Sequence, residues 1–221
     1  MMFITFEGLD CSGKSTQAQL LASHLEVETL PGDRCLRPVR FLREPGGTAI
    51  SERLRDILLD RTTLELHERA ELLLFEASRA QLVHRVIRPA LARGEIVICD
   101  RYADSTTAYQ GYGRGLDLLA VEQINLFATG ELRPDLTVYV DITAEEIGRR
   151  KAERGDAADR MESAGPLFYE RVRNGYLEIA RRDPQRFAVV NGMPPIPAVR
   201  DAVWRSVVTA ANRVRTQGTR S

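Results

Sequence analysis

The residues from Gly8 to Thr16 are those whose types and spacing most clearly predict chemistry. Gly8 is followed by four residues and then by Gly13, Lys14 and Ser15, which fits the pattern G-x-x-x-x-G-K-[ST]. In this pattern the glycines let successive backbone N–H groups point at an anion, and the N-terminus of the following helix adds positive potential. Lys14 would reach the β- and γ-phosphates of a nucleotide, and the Ser15 hydroxyl would hold a magnesium ion. The sequence therefore predicts a nucleotide-phosphate site.

Apolar runs that favour strands alternate with helical patterns along the chain. Strands are predicted from Phe3 to the phosphate loop and at residues 39–42, 96–99, 136–141 and 187–190. The longest helical pattern covers residues 65–91, where Pro89 would bend or restart the helix. This alternation is typical of a parallel sheet covered on both faces. We predict one α/β domain over residues 1–221, with three layers (α/β/α) and a five-stranded parallel sheet with flanking helices.

The composition narrows the class of protein. With 221 residues, 43% of them hydrophobic and 28% charged, the chain can form one substantial core. Its formal net charge is zero, so no nucleic-acid partner is expected. Cys11, Cys35 and Cys99 are widely spaced and odd in number, which favours a reducing compartment over a disulfide framework. No run approaches the roughly 18 apolar residues that cross a bilayer, so we expect a cytoplasmic protein without membrane contact.

Polar clusters follow three of the predicted strands: the phosphate loop, Arg43-Glu44 and Asp100-Arg101. Because the carboxyl ends of parallel strands share one edge of a sheet, we expect these clusters to converge. Asp100 is the expected magnesium-side carboxylate; the alternative is a residue that caps a loop or pairs with Arg101. Arg43 and Arg101 would suit bidentate phosphate binding, although either one alone would be a surface residue in so arginine-rich a chain.

Residues 148–162, here named the lid segment, hold five basic residues around Gly155. On its own such a run indicates a solvated charged helix. Beside a phosphate loop it favours a mobile lid that closes arginines over a triphosphate.

These features resemble those of bacterial thymidylate kinases. The shared motifs are the phosphate loop, then residues 43–48 (REPGGT), 75–81 (FEASRAQ), 100–102 (DRY), 109–115 (YQGYGRG) and 159–162 (DRME), in the family's order and spacing. The resemblance extends from Phe3 to about Asn191. It implies a P-loop kinase that transfers the γ-phosphoryl group of ATP to dTMP, with magnesium, for dTTP biosynthesis, in a homodimer. It also implies that the ATP-binding loop comprises Gly8, Leu9, Asp10, Cys11, Ser12, Gly13, Lys14, Ser15 and Thr16.

The resemblance also implies how the base would be recognised. Phe75 would stack on the thymine ring, and Arg79 would donate to its carbonyl edge. Gln110, with Ser105 or Thr106, would add polar contacts. Without the resemblance, Phe75 would be interpreted as a core aromatic residue.

The same comparison of motifs implies contacts to the sugar and phosphate of dTMP. Tyr109 would crowd the ribose 2′ position and favour deoxyribose, and Arg43 and Arg101 would bind the phosphate. The acceptor-binding region would then span about residues 43–115. Its expected members are Arg43, Phe75, Arg79, Asp100, Arg101, Ser105, Thr106, Tyr109 and Gln110.

One departure from the family concerns catalysis. Relatives of the eukaryotic type place an arginine in the phosphate loop at the position of Cys11, and this chain lacks it. We therefore expect arginines of the lid segment to stabilise the transferring phosphoryl group. The resemblance makes Arg154 the first choice, because it directly precedes Gly155 as in bacterial relatives; Arg149 and Arg150 are alternatives, or would stack on adenine.

Two loop residues and the catalytic set complete the expectations. Asp10 would orient the acceptor phosphate side or the lid. Cys11 is interpreted as filler in the loop rather than as a redox-sensitive thiol. The groups expected to act in catalysis are Lys14, Asp10, Arg101, Arg154, Arg149 and Arg150.

Two other functions stay open at this stage. Another small phosphate-loop kinase, acting on a different nucleotide or nucleoside, would share the loop but not the acceptor pocket. A nucleotide-binding switch is disfavoured because no N-K-x-D guanine-reading motif occurs and residues for an acceptor are present.

Overall fold

Five short strands form one parallel sheet in the computed structural model, which describes residues 1–60, 62, 65–154 and 165–218. They are β1 (Met2–Gly8), β2 (Val39–Arg43), β3 (Ile96–Asp100), β4 (Leu136–Asp141) and β5 (Phe187–Asn191). Their order across the sheet is β2-β3-β1-β4-β5, and every adjacent pair is parallel. The predicted five-stranded parallel sheet is confirmed.

Helices cover both faces of the sheet. They are α1 (Lys14–Leu25), α2 (Ala49–Leu59), α3 (Glu68–Leu82), α4 (Arg88–Ala92), α5 (Ala103–Thr106), α6 (Leu118–Thr129), α7 (Ala144–Arg154), α8 (Pro166–Arg182) and α9 (Ile196–Gly218). Thr48 and Thr143 directly precede α2 and α7, and their hydroxyls accept hydrogen bonds from the backbone N–H groups of Ser51 (3.0 Å) and Glu146 (3.3 Å). Within the described residues, no helix combines the length and apolarity needed to span a bilayer.

The long helix predicted at residues 65–91 differs from the structure in its interior. A π-helical turn at Val83–Ile87 separates α3 from α4. Pro89 lies in the first turn of α4, where a missing backbone N–H is tolerated. The α-helix is thus interrupted directly before Pro89 and restarts at Arg88, which is the second of the two predicted outcomes.

A second difference concerns the segment after β3, for which no helix was predicted. α5 and a π-helical turn at Thr107–Gly113 fill this segment. Its glycines and β-branched residues have low helix propensity, so tertiary packing decides its conformation. A Cβ on Gly113 would lie 2.7 Å from Phe168 and 2.8 Å from Val172 of α8, so the absence of a side chain allows this close approach.

The alternation of side chains along β1 divides the core between the two faces. Met2, Ile4 and Phe6 pack with residues of α1 and α9, and Phe3 packs on the other face with α3, α4 and the turn between them. Every residue of β1 is buried, including Glu7, because the strand is central and covered on both faces.

The register of the sheet positions the functional loops. Phe6 of β1 and Arg43 of β2 both pair with Asp100 of β3. The carboxyl ends of these three strands are therefore level with one another. The loops that follow them leave the sheet at one edge, which is where ligands bind in open α/β sheets.

Candidate active site

A cavity of about 290 Å³ opens at this edge of the sheet. From the phosphate loop it is lined by Asp10, Lys14 and Ser15. Glu44, Pro45, Arg55 and Leu59 also line it and are not among the predicted contacts. All the residues expected on the dTMP side lie in its wall, namely Arg43, Phe75, Arg79, Asp100, Arg101, Ser105, Thr106, Tyr109 and Gln110.

The backbone of the phosphate loop explains its glycines. Gly8 and Gly13 have positive φ angles of 153° and 89°. A Cβ on Gly8 would lie 2.7 Å from the Ser12 hydroxyl and from the carbonyl oxygen of Val140, so a larger residue does not fit. Cys11 also has a positive φ of 61°, which is uncommon for a residue with a side chain. Such backbone conformations are typical of ligand-binding loops.

Lys14 is almost completely buried at the base of the cavity. Burial lowers the pKa of its ammonium group, and the neighbouring positive charge of Arg101 acts in the same direction. Asp100 and Asp10 act in the opposite direction. Two cations thus converge on one poorly solvated space, an arrangement that favours an anionic ligand.

Asp10, a residue of the phosphate loop, accepts hydrogen bonds from three side chains of other elements. Arg101 Nη2 donates to it at 2.5 Å, and the hydroxyls of Tyr109 and Tyr169 lie at 3.4 and 3.2 Å. Burial alone would raise the pKa of Asp10, but Arg101, Lys14 and Lys151 together lower it below the ordinary value. Asp10 is therefore an ionised carboxylate that balances the surrounding cations.

Lys151 and Tyr169 connect helices α7 and α8 to this carboxylate, and sequence reasoning did not assign them. Lys151 Nζ lies 3.1 Å from the Tyr169 hydroxyl and 5.0 Å from the centre of the Tyr169 ring. One signal was available, since Lys14 and Lys151 are the two lysines of the chain. Both of them act on Asp10.

Arg150 of α7 binds the outer side of the phosphate loop. Its Nη1 atom donates to the carbonyl oxygens of Cys11 (3.0 Å) and Ser12 (3.3 Å), and Nη2 donates to the carbonyl oxygen of Gly192 (2.9 Å). Because C=O and N–H point in opposite directions across a trans peptide bond, the contact with Ser12 turns the Gly13 N–H inward. Arg150 thus supports the anion-binding face of the loop.

Arg149 lies on the solvent side of α7 and is paired within its own helix. Its Nε and Nη2 atoms donate to Glu146 at 2.8 and 2.6 Å, and Nη1 contacts Glu153. Its side chain is 57% exposed. Bonds from Arg149 and Arg150 lower the pKa of Glu146 to about 2, so that carboxylate is ionised.

The lid segment is described only in part. Helix α7 ends at Arg154, and the Arg154 side chain and residues 155–162 lie outside the described residues. The role of Arg154, the hinge at Gly155 and the motif at 159–162 therefore stay predictions.

Arg101 is held at both its backbone and its guanidinium group. Its φ of 71° is in the left-handed region, and its N–H donates to the carbonyl oxygen of Phe6 at 2.9 Å. Nη1 donates to the Ser105 hydroxyl at 3.1 Å, and the guanidinium lies 4.9 Å from the centre of the Tyr109 ring. The side chain is 18% exposed, so it is accessible from the cavity but fixed in direction.

Asp100 and Arg43 lie beside each other at the ends of β3 and β2. Asp100 Oδ1 is buried and has no hydrogen-bond partner among the described residues. Arg43 is more exposed and donates to the carbonyl oxygen of Pro45 and to Glu52, both at 2.9 Å. An unpartnered buried carboxylate oxygen beside a cavity suits a cation or its bound water.

Arg79 forms the buried end of the cavity. Its side chain is 2% exposed, and in the described part of the chain Nε and Nη1 are fully used as donors. Nη2 makes one bond, at 3.0 Å, which leaves one N–H group for a ligand. The oxygen atoms that accept from Arg79 belong to Glu44, Glu76, Thr106, Asn125 and Tyr102.

The other predicted base contacts lie around Arg79. Gln110 is buried, and its Nε2 donates to Glu71 at 2.8 Å, which fixes the amide. Thr106 Oγ1 accepts from Arg79 at 2.8 Å. Phe75 is half-buried and lines the cavity. This end of the cavity combines one aromatic face with a few polar groups of fixed direction, as small-molecule sites do.

Comparison with known proteins agrees with this geometry. The family model described as thymidylate kinase matches residues 6–203. The thymidylate kinase of Chlorobium luteolum is 50% identical over 198 residues, which cover 86% of this chain and 89% of that protein. This chain belongs to the thymidylate kinase family. It is therefore an enzyme of that type, and the predicted resemblance is confirmed.

Further thymidylate kinases are similar to this member of the family over most of its length. The thymidylate kinase of Caldanaerobacter subterraneus subsp. tengcongensis is 46% identical over 205 residues, covering 93% of this chain and 94% of that protein. The crystal structure of thymidylate kinase from Ehrlichia chaffeensis is similar with a TM-score of 0.72 and 36% identity. It matches 92% of this chain and 96% of that chain. Membership of the family supports phosphorylation of dTMP and binding of nucleotides.

Proposed function

We propose that this enzyme transfers the γ-phosphoryl group of ATP to the phosphate of dTMP, giving dTDP and ADP for dTTP synthesis. The observation that carries the proposal is the cavity itself, because the phosphate loop and the acceptor-side residues line one space. A donor phosphate on the loop and an acceptor phosphate near Arg101 would therefore meet directly.

On the donor side, residues 8–16 would hold the phosphates of ATP. Gly8 and Gly13 adopt the positive φ angles that such a loop needs, and Lys14 lines the cavity. The buried ammonium group of Lys14 would neutralise charge on the β- and γ-phosphates.

Magnesium would bind between Ser15 and Asp100. The fit rests on the unpartnered Oδ1 atom of Asp100 and on the exposed position of Ser15 at the start of α1. Among the described residues, no group of three or more His, Cys, Asp or Glu could hold a metal ion. This suits Mg²⁺, which is commonly bound by one or two protein groups together with phosphates and water. When bound, the ion would neutralise charge on the nucleotide phosphates.

On the acceptor side, Arg101 and Arg43 would bind the dTMP phosphate. Both guanidinium groups line the cavity, and each is already directed by a carboxylate, Asp10 for Arg101 and Glu52 for Arg43. Guanidinium groups suit bidentate binding of phosphate oxygens. The dTMP phosphate would share these donors with the two carboxylates.

The base would occupy the buried end of the cavity. Phe75 would stack on thymine, and the remaining N–H of Arg79 would donate to a base carbonyl oxygen. Gln110, with Ser105 or Thr106, would supply the other polar contacts. The Tyr109 ring, fixed between Arg101 and Phe168, would crowd the ribose 2′ position.

The reaction needs no general base from the protein. A phosphate oxygen of dTMP is an anionic nucleophile at neutral pH, so catalysis consists of alignment and charge neutralisation. Lys14 and Arg101 would supply positive charge on the two sides of the transferring group.

Arginines of the lid segment would supply the remaining charge, since the loop carries Cys11 where other relatives have arginine. Arg154 is our first choice for this role. Arg149 and Arg150 are alternatives, although Arg150 already bonds to the phosphate loop and Arg149 to Glu146 and Glu153.

We also propose a cytoplasmic homodimer of single-domain chains spanning residues 1–221. Helices α3 and α6 are in contact and expose large apolar side chains, including Leu73 (56%), Leu119 (64%) and Phe127 (90%). Exposed apolar side chains on neighbouring helices suggest an interface. Sedimentation velocity tests this: a mass of two chains is expected, and a single-chain mass at micromolar concentration contradicts it.

Release of ADP with ATP and magnesium tests the proposed reaction, with dTMP, dUMP, dGMP, dCMP and AMP compared as acceptors. We expect a strong preference for dTMP. Activity with a different monophosphate alone would keep the phosphate loop and overturn the acceptor assignment. If release does not depend on any acceptor, the nucleotide-binding switch becomes the better interpretation.

A further inference from the structure

Glu7 is a buried carboxylate that the proposed reaction does not use. It lies on the central strand β1, one residue before the phosphate loop, and its exposure is 0%. Burying a carboxylate is unfavourable unless hydrogen bonds compensate for the lost water. A glutamate at this place therefore indicates a specific arrangement of donors around it.

Three donors supply those bonds. Glu7 Oε1 accepts the backbone N–H of Tyr102 at 2.8 Å. Glu7 Oε2 accepts the hydroxyls of Ser105 at 2.5 Å and Tyr176 at 2.9 Å. Tyr102 and Ser105 lie in the segment that follows β3 and presents Arg101 to the cavity.

The backbone of Arg101 depends on this arrangement. Its φ of 71° is uncommon for a residue with a side chain, and such conformations persist where the surroundings hold them. Two successive N–H groups are bound to β1: that of Arg101 to the Phe6 carbonyl oxygen, and that of Tyr102 to Glu7. The turn is thereby attached to the strand that leads into the phosphate loop.

The direction of the Arg101 side chain also depends on the hydrogen bonds around Glu7. Arg101 Nη1 donates to the Ser105 hydroxyl, and that hydroxyl donates to Glu7, so Glu7 directs a lone pair of Ser105 toward the guanidinium. On the other side, Asp10 accepts from Arg101 Nη2. Glu7 and Asp10, three residues apart in one segment, thus fix both the turn and the guanidinium of Arg101.

We propose that Glu7 is a positioning residue, which fixes Arg101 relative to the phosphate loop so that the acceptor phosphate is aligned with the donor. The segment that contains Glu7 and Asp10 also carries Lys14. The cations on the two sides of the reaction are therefore positioned by one segment of the chain. Alignment and charge neutralisation are the contributions of the protein to phosphoryl transfer, and an error of about 1 Å in alignment can cost on the order of 10²-fold in rate. The inference rests on the proposed role of Arg101 at the acceptor phosphate.

Glu7→Gln keeps the size and shape of the side chain and changes only its charge and one hydrogen-bond acceptor. Burial and the negative charge of Asp104 raise the pKa of Glu7 to about 7, whereas its bonds with Ser105 and Tyr176 act against that rise. A neutral amide of equal size is therefore compatible with folding. It replaces an acceptor by a donor facing Ser105, which reverses the hydrogen-bond direction next to Arg101.

A double-substitution cycle with Arg101→Ala tests the proposal. Glu7→Gln is expected to lower kcat/KM for dTMP roughly tenfold or more, with KM for ATP within about twofold of wild type. In the Arg101→Ala background the same change is expected to have an effect below about twofold. The dTMP dissociation constant, measured by calorimetry, gives the same comparison without turnover if Arg101→Ala is too slow to assay.

Tyr176→Phe is the matched control, because it removes one donor to Glu7 and the 2.9 Å contact of that hydroxyl with Ser105, but keeps the carboxylate of Glu7 and its bonds from Ser105 and the Tyr102 N–H. We expect it to change kcat/KM for dTMP by less than about threefold. If Glu7→Gln does not fold, Glu7→Asp replaces it in the same cycle, since the shorter side chain retains the charge. An equal loss from the Glu7 substitution in both backgrounds would overturn the positioning role. Wild-type kinetics of Arg101→Ala alone would instead overturn the proposed role of Arg101.

Discussion

Arginine has different surroundings in the wall of the cavity and in the lid segment. On the acceptor side, Arg79 is 2% exposed and bonds to oxygens from five other residues on several elements. In the lid segment, Arg149 is 57% exposed and pairs with glutamates of its own helix. Buried, multiply bonded arginines have a fixed geometry, whereas exposed pairs within a helix contribute little and exchange partners easily.

This difference fits the two tasks that we propose for the arginines of the cavity and of the lid segment. Recognition of one base requires donors whose direction is set before the ligand arrives. Stabilisation of a transferring phosphoryl group by a lid requires cations that move into place after binding. In a chain so rich in arginine, burial and the number of partners separate the two uses better than residue type does.

The largest effect is expected for Arg154→Ala. If Arg154 supplies charge to the transferring phosphoryl group, kcat should fall by a factor of ~10³ or more, with little change in dTMP affinity. Steady-state kinetics with both substrates varied measures this, and Arg149→Ala and Arg150→Ala are measured beside it to compare the three candidates. An unchanged kcat would move the role to Arg149, Arg150 or another group.

A smaller effect on a different parameter is expected for Phe75→Ala. Loss of a stacked aromatic ring is worth about 1–3 kcal/mol, so KM for dTMP should rise roughly 10- to 100-fold while KM for ATP stays near wild type. Phe41→Ala, at a partly exposed position on β2, is the matched control and should leave both constants unchanged. Wild-type KM for dTMP in Phe75→Ala would remove Phe75 from the site.

Substitutions of Arg150 and Arg149 compare an arginine that supports the phosphate loop with one that forms only exposed ion pairs. Arg150→Ala should raise KM for ATP about tenfold, because three carbonyl contacts that brace the loop and its surroundings are lost. Arg149→Ala should change it by less than about threefold, since its pairs are exposed. Similar values for the two variants would show that Arg150 does not support the loop.

The last prediction concerns the pH dependence of stability and not activity. Burial raises the pKa of Glu44 to about 7, although the charge of Arg79 opposes this. Between the ordinary pKa of glutamate and about 7, the unfolded chain has lost this proton and the folded protein keeps it, so the free energy of unfolding falls as pH rises. Relative to Glu44→Gln, wild type should lose about 1–3 kcal/mol between pH 5 and pH 8 in urea unfolding. Parallel pH profiles would show that Glu44 titrates normally.

The sequence predicts some of these features because they depend on local pattern. The phosphate loop and the five strands follow from spacing and residue type within short windows. The π-helical segment at Thr107–Gly113 does not, because its conformation is set by packing against α8.

The long-range hydrogen bonds that support the site could not be predicted from the sequence either. The bond between Tyr176 and Glu7 joins residues 169 positions apart, and the contact of Tyr169 with Asp10 spans 159 positions. Composition gave one indirect signal, the scarcity of lysine, which points to Lys151. Hydrogen bonds over such separations depend on the folded arrangement and have no short-range pattern.

Binding of dTMP in the absence of ATP tests the central claim most directly, because a preset acceptor side needs no donor or lid closure. Isothermal titration calorimetry should show one dTMP bound per chain, with far weaker binding of AMP and with affinity reduced in Phe75→Ala. Arg154→Ala should bind dTMP as wild type does. If dTMP binds only when a nucleotide occupies the phosphate loop, the acceptor side is not preset, and the contrast between the two sides is wrong.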